Sequence, residues 1–395
     1  MNTARVIVII LDSVGIGAAP DAADYNDAGA NTLANLAEAV GGLRLPTFEQ
    51  LGLGNIPALL PGGRPIAGVP PVLHPEADYG AMRELSVGKD TTTGHWEIAG
   101  LHLTEGFTTF PPGPPSFPAG LLKTLEERTG RGILGNKAAS GTAIIEELGA
   151  EQLRTGNLIV YTSADSVMQI AAHEDVIPVE QLYAVCAAAR ELCNPLKVGR
   201  VIARPYTGQP GRFQRTSRRK DYSLPPPEPF IMENLQAAGI PVHTIGKLDD
   251  IYDRHGISNS RHTTNNHDSQ QALLELIASD ATGLILANFI DFDMLYGHRR
   301  DARGYSRALQ DTDAFLSELL PRLKSDDRLV LTADHGNDPT FSGTDHTREY
   351  VPLLSYTPQR HGRSLGIRQG FFDIAQTLAG WFRLPAWPRG VAFDP

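Results

Sequence analysis

The chain has 395 residues, of which 41% are hydrophobic and 20% charged, and a formal net charge of -10. That length suits two or three domains and that balance a folded chain, while the acidic total excludes a nucleic-acid coat, which needs a broad basic surface. No apolar run approaches the roughly 20 residues of a membrane span, and Cys186 and Cys193, seven apart in an alanine-rich helical run, are badly spaced for a disulfide, so a cytoplasmic protein is expected.

In chain order, RVIVIILD (5–12) reads as a core strand and not as a signal peptide. The segment SVGKDTTTGHWEIAG (86–100) places Thr91, Thr92 and Thr93 before Gly94, with a helix expected from His95. A threonine at a helix start is ordinarily a cap. The same place can bind phosphoryl oxygens through helix N–H groups, with Lys89 as a neutralising point charge. Composition does not choose among the three hydroxyls.

Two proline clusters, FPPGPPSFP (110–118) and LPPPEPF (224–230), bracket the middle of the chain and mark linkers. Between them lie strand candidates at 157–161 and 198–203, a helix at 180–193, and the basic run Arg212–Lys220, read as a solvated linker face. Residues 105–222 are therefore expected to form a domain inserted into a core made of 1–104 and 223–395. That core continues with helices at 231–238, 269–278 and 305–320, and with strands GLILANFIDFD (283–293) and RLVLTADHG (328–336). Apolar runs ending in aspartate suit strands buried on both faces, with the acids at the carboxyl edge where open α/β sheets place their sites.

Asp12, Asp293, His298, Asp334, His335 and His346 can all converge on that edge. Mixed carboxylate and imidazole donors suit Mn²⁺, Zn²⁺ or Fe²⁺, and six residues are enough for two ions. Asp291, two residues before Asp293, is a competing candidate on the same strand face. His74, His102, His173, His243, His255, His262 and His267 lack a partner set and read as surface or hydrogen-bonded residues; His95 stays unassigned.

With these motifs assembled, the chain resembles the phosphopentomutase family of the alkaline phosphatase superfamily. The resemblance runs through LDSVGIG (11–17), LGLGN (51–55), GKDTTTGHWE (88–97), GNKAASGT (135–142), YTSADSVMQIAAHE (161–174), GRVIARPY (199–206), IGKLDDIYD (245–253), DFDMLYGHRRD (291–301), ADHGNDP (333–339) and GTDHTREYVPLL (343–354). It implies an α/β, alkaline-phosphatase-like core with a central, mostly parallel sheet flanked by helices, plus an inserted α+β cap domain. It implies two Mn²⁺ per chain, one held by Asp293, His298 and His346 and the other by Asp12, Asp334 and His335. It assigns the nucleophile to Thr91, directly after Lys-Asp. It places substrate contacts at Ser163, Asp165, Val167, Arg200 and Ile202 in the cap and at Lys247 in the core, in addition to the phosphate contact expected of Lys89 from its charge. Thr92 stands where members of the family carry methionine.

The activity implied is interconversion of ribose (or deoxyribose) 1-phosphate and the 5-phosphate. It would run through a phosphothreonine primed by a sugar bisphosphate, with the cap keeping water away. The expected partner is a pentose phosphate, with no nucleic acid and no membrane, and the oligomeric state is open. The competing readings are a phosphatase, sulfatase or phosphoglycerate mutase on the same core, or a non-catalytic metal-binding protein. The threonine triplet disfavours the sulfatases, which use a modified Cys or Ser, and the phosphoglycerate mutases, which use serine.

Overall fold

A computed structural model describes residues 5–163, 166–279 and 281–394. Its strands, in chain order, are β1 (Arg5–Leu11), β2 (Ala77–Met82), β3 (Ile133–Ala138), β4 (Leu158–Thr162), β5 (Val167–His173), β6 (Arg200–Thr207) and β7 (Gln214–Arg215). They continue with β8 (Lys220–Ser223), β9 (Val242–Ile245), β10 (Asn259–Arg261), β11 (Gly283–Phe289), β12 (Arg328–Thr332), β13 (Val351–Tyr356) and β14 (Ser364–Arg368). The chain divides into two compact units, Met1–Glu105 with Glu228–Pro395, and Gly106–Pro227.

The first unit is built on an eight-stranded sheet of order β10-β9-β11-β1-β12-β13-β2-β14. β1 lies parallel between β11 and β12, and only β13 runs against its neighbours. The sequence explains the centre of the sheet. β1 is a run of β-branched residues and leucine, and Val6–Ile10 have no exposed surface, as a strand covered on both faces requires. Each such side chain contributes about 1.5–3 kcal/mol by leaving water. Leu11 stands opposite Phe289, and Ile10 opposite Thr332. That register brings the residues after β1, β11 and β12 to one sheet edge. Among the described residues no helix is long and apolar enough to cross a membrane.

One expected strand is shorter than its apolar run. β11 stops at Phe289, and the chain passes into a π-helical turn, Phe292–Gly297, so Asp291 and Asp293 are not strand neighbours. Asp291 instead ties two segments together: its Oδ2 accepts from Asn266 N at 2.9 Å, while its amide donates to Asn266 Oδ1 at 3.0 Å.

The second unit holds a sheet of order β3-β4-β5-β6-β7, with β8 also on β6. Helices Ala119–Thr129 and Val179–Cys193 pack on one face, burying Leu125, Met168, Ile170, Leu182 and Val201. Both cysteines are free and buried in the second of these helices. Helix Gly141–Thr155 packs on the other face over Ile159, Ala171 and Tyr206. The first proline cluster is more than a linker, since Phe117 is buried in this core against Phe110. The basic run 212–220 is largely exposed, as a solvated face should be, but it is tied to the sheet and is not a free linker. Arg215 pairs with Tyr206 and Lys220 with Ala203, because the edges of β6 leave backbone donors and acceptors for both arms of the run.

Candidate active site

The first unit collects the predicted metal ligands at the carboxyl edge of its sheet. Asp12 extends the β1–β11 ladder, its amide donating to Phe289 O at 3.2 Å. The chain then turns at Ser13, whose φ of 76° is unusual for a residue with a side chain. The turn lets the Ser13 amide donate to Asp334 Oδ1 at 3.0 Å, while Asn288 Nδ2 donates to Asp12 Oδ2 at 3.0 Å. One oxygen of each carboxylate is thereby fixed. Of the other two, Asp12 Oδ1 is buried without a hydrogen bond among the described residues, and Asp334 Oδ2 is buried against the His95 ring at 3.0 Å. They lie 3.5 and 3.3 Å from His335 Nε2.

The π-helical turn supplies a second set. Its wide winding matches the five-residue spacing of Asp293 and His298. His298 Nε2 is 3.2 Å from Asp293 Oδ2. His346 Nε2 is 3.3 Å from Asp293 Oδ1 and 3.2 Å from His298 Nε2. His298 Nδ1 donates to Thr344 O at 2.7 Å, and His335 Nδ1 to Gly336 O at 3.0 Å. Carbonyls only accept, so in the neutral ring each Nε2 keeps a lone pair turned to the cluster, and in protonated His298 the same Nε2 donates to Asp293.

The electrostatics describe a place for cations. Burial, then the charges of Asp334 and Asp293, push the Asp12 carboxyl well above its usual range. Burial works against ionised Asp293 too, but His346 and the hydrogen bond from His298 outweigh it and hold this carboxyl well below the usual range. Burial also opposes a charge on His346, yet Asp293 carries its pKa up to about 9. Burial lowers that of His335 and favours the neutral, ligating ring. The cluster thus draws in a proton where a metal ion would otherwise neutralise it. Ligand atoms of Asp12, Asp334 and His335, and of Asp293, His335 and His346, lie within 4.8 Å of one another in each group. Hard oxygens mixed with imidazole fit divalent Mn, Zn or Fe, and coordination would satisfy the orphaned Asp12 Oδ1.

Thr91 sits against this cluster. The sequence suggested a helix from His95 with a threonine as its cap, but the helix spans Thr91–Ile98 and its cap is Asp90. Asp90 Oδ1 accepts from Thr93 N at 3.1 Å, and Oδ2 from Thr93 Oγ1 at 2.6 Å. A carboxylate outranks a threonine hydroxyl here because it accepts both bonds and is favoured by the helix dipole. The Thr91 hydroxyl is left free of capping and donates to His335 Nε2 at 3.1 Å. His95, unassigned from sequence, is fully buried, with Nδ1 2.9 Å from Thr91 O and 3.0 Å from Asp334 Oδ2.

The helix carrying Thr91 comes so close to Asp334 that only glycine fits at its fourth position. A Cβ on Gly94 would stand 2.0 Å from Asp334 O and 3.0 Å from Asp334 Cβ. Gly94→Ala is expected to displace Asp334 and cost about 1–3 kcal/mol of stability. Metal titration and thermal unfolding of the variant should show weaker binding and a lower Tm together; unchanged metal affinity would contradict this reading of the contact.

The cations around Thr91 are themselves held. Lys89 Nζ is 3.0 Å from Asp27 and 3.3 Å from Asp345. Lys247 Nζ lies 3.3 Å from Met294 Sδ, and its charge acts on Asp12. Sequence reasoning missed Arg348, Glu349, Asn288 and Asn337. Arg348 is buried and donates to Gly88 O at 2.6 Å and to Glu84 Oε2 at 2.5 Å, pinning the backbone just before Lys89. Glu349 accepts from Gly17 N, Thr32 N, Thr32 Oγ1 and Thr347 Oγ1, joining the loop after Asp12 to the one after His346. Asn337 Nδ2 donates to Asp293 Oδ1 at 2.7 Å. The only signal for these four was their place next to the recognised motifs.

Of the residues expected to contact substrate in the inserted segment, Val167 and Ile202 are buried and Arg200 pairs in register with Val167. Ser163 Oγ accepts from Gln169 Nε2 at 3.4 Å. Asp165 lies outside the described residues.

A two-unit α/β chain with an Asp/His cluster at the carboxyl edge of its sheet has the makings of a metal-dependent enzyme. The family model of the Metalloenzyme superfamily matches residues 4–386, and the chain belongs to that superfamily. Among solved structures, the phosphoglycerate mutase of Leishmania mexicana is 12% identical with a TM-score of 0.51, over 98% of this chain and 97% of its own. A protein from Pyrococcus horikoshii is 14% identical with a TM-score of 0.48, over 96% and 97%. A protein of the alkaline phosphatase superfamily from Vibrio parahaemolyticus is 10% identical with a TM-score of 0.41, over 97% and 67%. The fold is alkaline-phosphatase-like, an α/β architecture with mixed sheets flanked by helices.

Proposed function

We propose that the protein is a metal-dependent phosphomutase that interconverts pentose 1-phosphate and pentose 5-phosphate through a phosphorylated Thr91. One observation carries this reading. The Thr91 hydroxyl, relieved of capping by Asp90, lies 3.1 Å from His335 Nε2, a ring that belongs to both groups of candidate ligands. The motif resemblance from GKDT to HTREY supports the choice of substrate.

In this reading Asp12, Asp334 and His335 hold one divalent ion, and Asp293, His298 and His346 the other, Mn²⁺ being the expected metal. Bound there, the ions would lower the pKa of a nearby hydroxyl and neutralise phosphoryl oxygens. The remaining work falls to the chain's own residues. The N-terminal N–H groups of helix Thr91–Ile98 favour phosphoryl oxygens on Thr91. His95, touching Thr91 O and Asp334 together, keeps hydroxyl and carboxylate in register. In transfer, the bond from phosphorus to Thr91 Oγ1 breaks as the sugar hydroxyl oxygen bonds to phosphorus. In net balance the hydroxyl proton ends on Thr91, and a sugar bisphosphate results. Return of its other phosphate to Thr91 completes the isomerisation, and a sugar bisphosphate added from outside would supply the first phosphate. Positioning and charge neutralisation provide most of the rate.

The test is a product analysis with ribose 1-phosphate, Mn²⁺ and a catalytic amount of sugar bisphosphate. The expected product is ribose 5-phosphate with little inorganic phosphate. Inorganic phosphate as the main product would make the protein a phosphatase and overturn the proposal.

A further inference from the structure

The second unit carries a cationic site that the residues named so far do not explain. By strand register, Tyr161, Gln169, Ile202, Arg204, Asp221 and Arg215 share one face of its sheet. Helix Gly141–Thr155 covers this face only in part, and its N-terminus ends beside Tyr161 and Arg215. A Cβ on Gly141 would stand 2.6 Å from Tyr161 Oη and 3.4 Å from an Arg215 terminal nitrogen. A side chain there would therefore fill the space between helix start and guanidinium.

Arg204 is held for a purpose its own contacts do not meet. Gln169 is 6% exposed and Tyr161 fully buried. Gln169 Oε1 accepts from Arg204 Nε at 2.9 Å and from Tyr161 Oη at 3.1 Å. This buried pair fixes one edge of the guanidinium. Neither Arg204 nor Arg215 has a carboxylate partner among the described residues. The nearby acid, Asp221, is engaged by both guanidinium arms of Arg219 at 2.6 and 2.5 Å. Burial, then the charge of Arg219 and more weakly that of Arg215, lower the Arg204 pKa, so this cation lies among cations. The first turn of the 15-residue helix adds donors. Ser140 Oγ caps Ala143 N, and the amides of Gly141 and Thr142 have no partner among the described residues. Planar guanidinium forks beside free helix N–H groups match the tetrahedral oxygens of a phosphate dianion.

We propose that Arg204, Arg215 and the N-terminus of helix Gly141–Thr155 form a binding site for a phosphate monoester. A sugar phosphate as its occupant rests on the phosphotransfer reading above; the anion site itself rests on the second unit alone. The cationic cluster is small and belongs to a chain of net charge -10, so its ligand is a small dianion and not a polyanion.

The test is calorimetric titration of the full-length protein, with its divalent metal and after chelation, using ribose 5-phosphate and separately inorganic phosphate. Arg215→Ala should weaken binding about tenfold, and Arg204→Met with Arg215→Ala about 100-fold, as expected for lost charge-assisted hydrogen bonds. Thr91→Ala should bind the chelated form like wild type. Arg215 is exposed, so its variant tests charge without disturbing packing. Unchanged affinity in the Arg215→Ala protein, or no binding to chelated wild type, overturns the proposal. If the anion binds in this order but no isomerisation is seen, the mutase reading fails and the site stands.

Discussion

Thr91→Ala is expected to lower phosphoryl transfer by at least about 10³-fold, with metal content unchanged. The size follows from the chemistry, because among the described residues neither neighbouring threonine hydroxyl is placed against His335 as that of Thr91 is. Thr93 is committed to Asp90 Oδ2 at 2.6 Å. Its change to alanine should cost about 0.5–1.5 kcal/mol of stability, the worth of one hydrogen bond, and little activity at saturating metal. Thr92 belongs to the same helical turn, where residues one apart face different directions. Thr92→Met should retain activity within a few-fold. Steady-state assays of the three variants beside metal analysis read these outcomes together. A Thr91→Ala protein with wild-type isomerase activity would remove the nucleophile from this account.

Asp12→Asn is expected to have two effects of opposite sign. Asp12 Oδ1 has no protein donor among the described residues, and it lies 3.5 Å from His335 Nε2. An amide there takes away a carboxylate ligand and its charge. Bound metal should fall by one ion per chain, and activity by roughly 10³-fold, the scale on which charge stabilisation is lost. The metal-free protein should respond the other way. Asp12 is buried beside Asp334 and Asp293, whose negative charges oppose its own, so removing the charge relieves repulsion. Its Tm without metal should equal or exceed that of chelated wild type, while with metal it should be lower. Metal analysis and paired thermal melts check both signs. A metal-free variant that melts well below chelated wild type would show that the carboxylates are not in conflict.

Much of the core was legible because apolar runs and acidic ends obey strong rules. Val6–Ile10 could be read as a doubly buried strand from their composition alone, and parallel neighbours then had to deliver Asp12 and Asp334 to one edge. The same reasoning overextended β11. Apolar character continues through Ile290 and Phe292, whereas the backbone leaves the sheet after Phe289. Hydrophobicity reports burial, and a buried π-helical turn is as apolar as a strand. The helix start was misread for a related reason. Asp90 and the three threonines are all good caps, and only the three-dimensional contacts show which one accepts from Thr93. Arg348 and Glu349 were invisible as buried residues because charged side chains are ordinarily exposed. Their burial depends on partners more than 260 positions away, Glu84 for Arg348 and Thr32 for Glu349. The exposure of the basic run 212–220 was legible, but its pairing with β6 was not, because β-pairing at a sheet edge leaves little mark on a segment this short.

The most direct measurement of the central claim is peptide mapping of the full-length protein after treatment with a sugar bisphosphate. The account predicts one phosphoryl group, on Thr91, which is discharged when pentose monophosphate is added and never appears in Thr91→Ala. Phosphate on Thr92 or Thr93, or a protein that stays unmodified while inorganic phosphate accumulates, would contradict it.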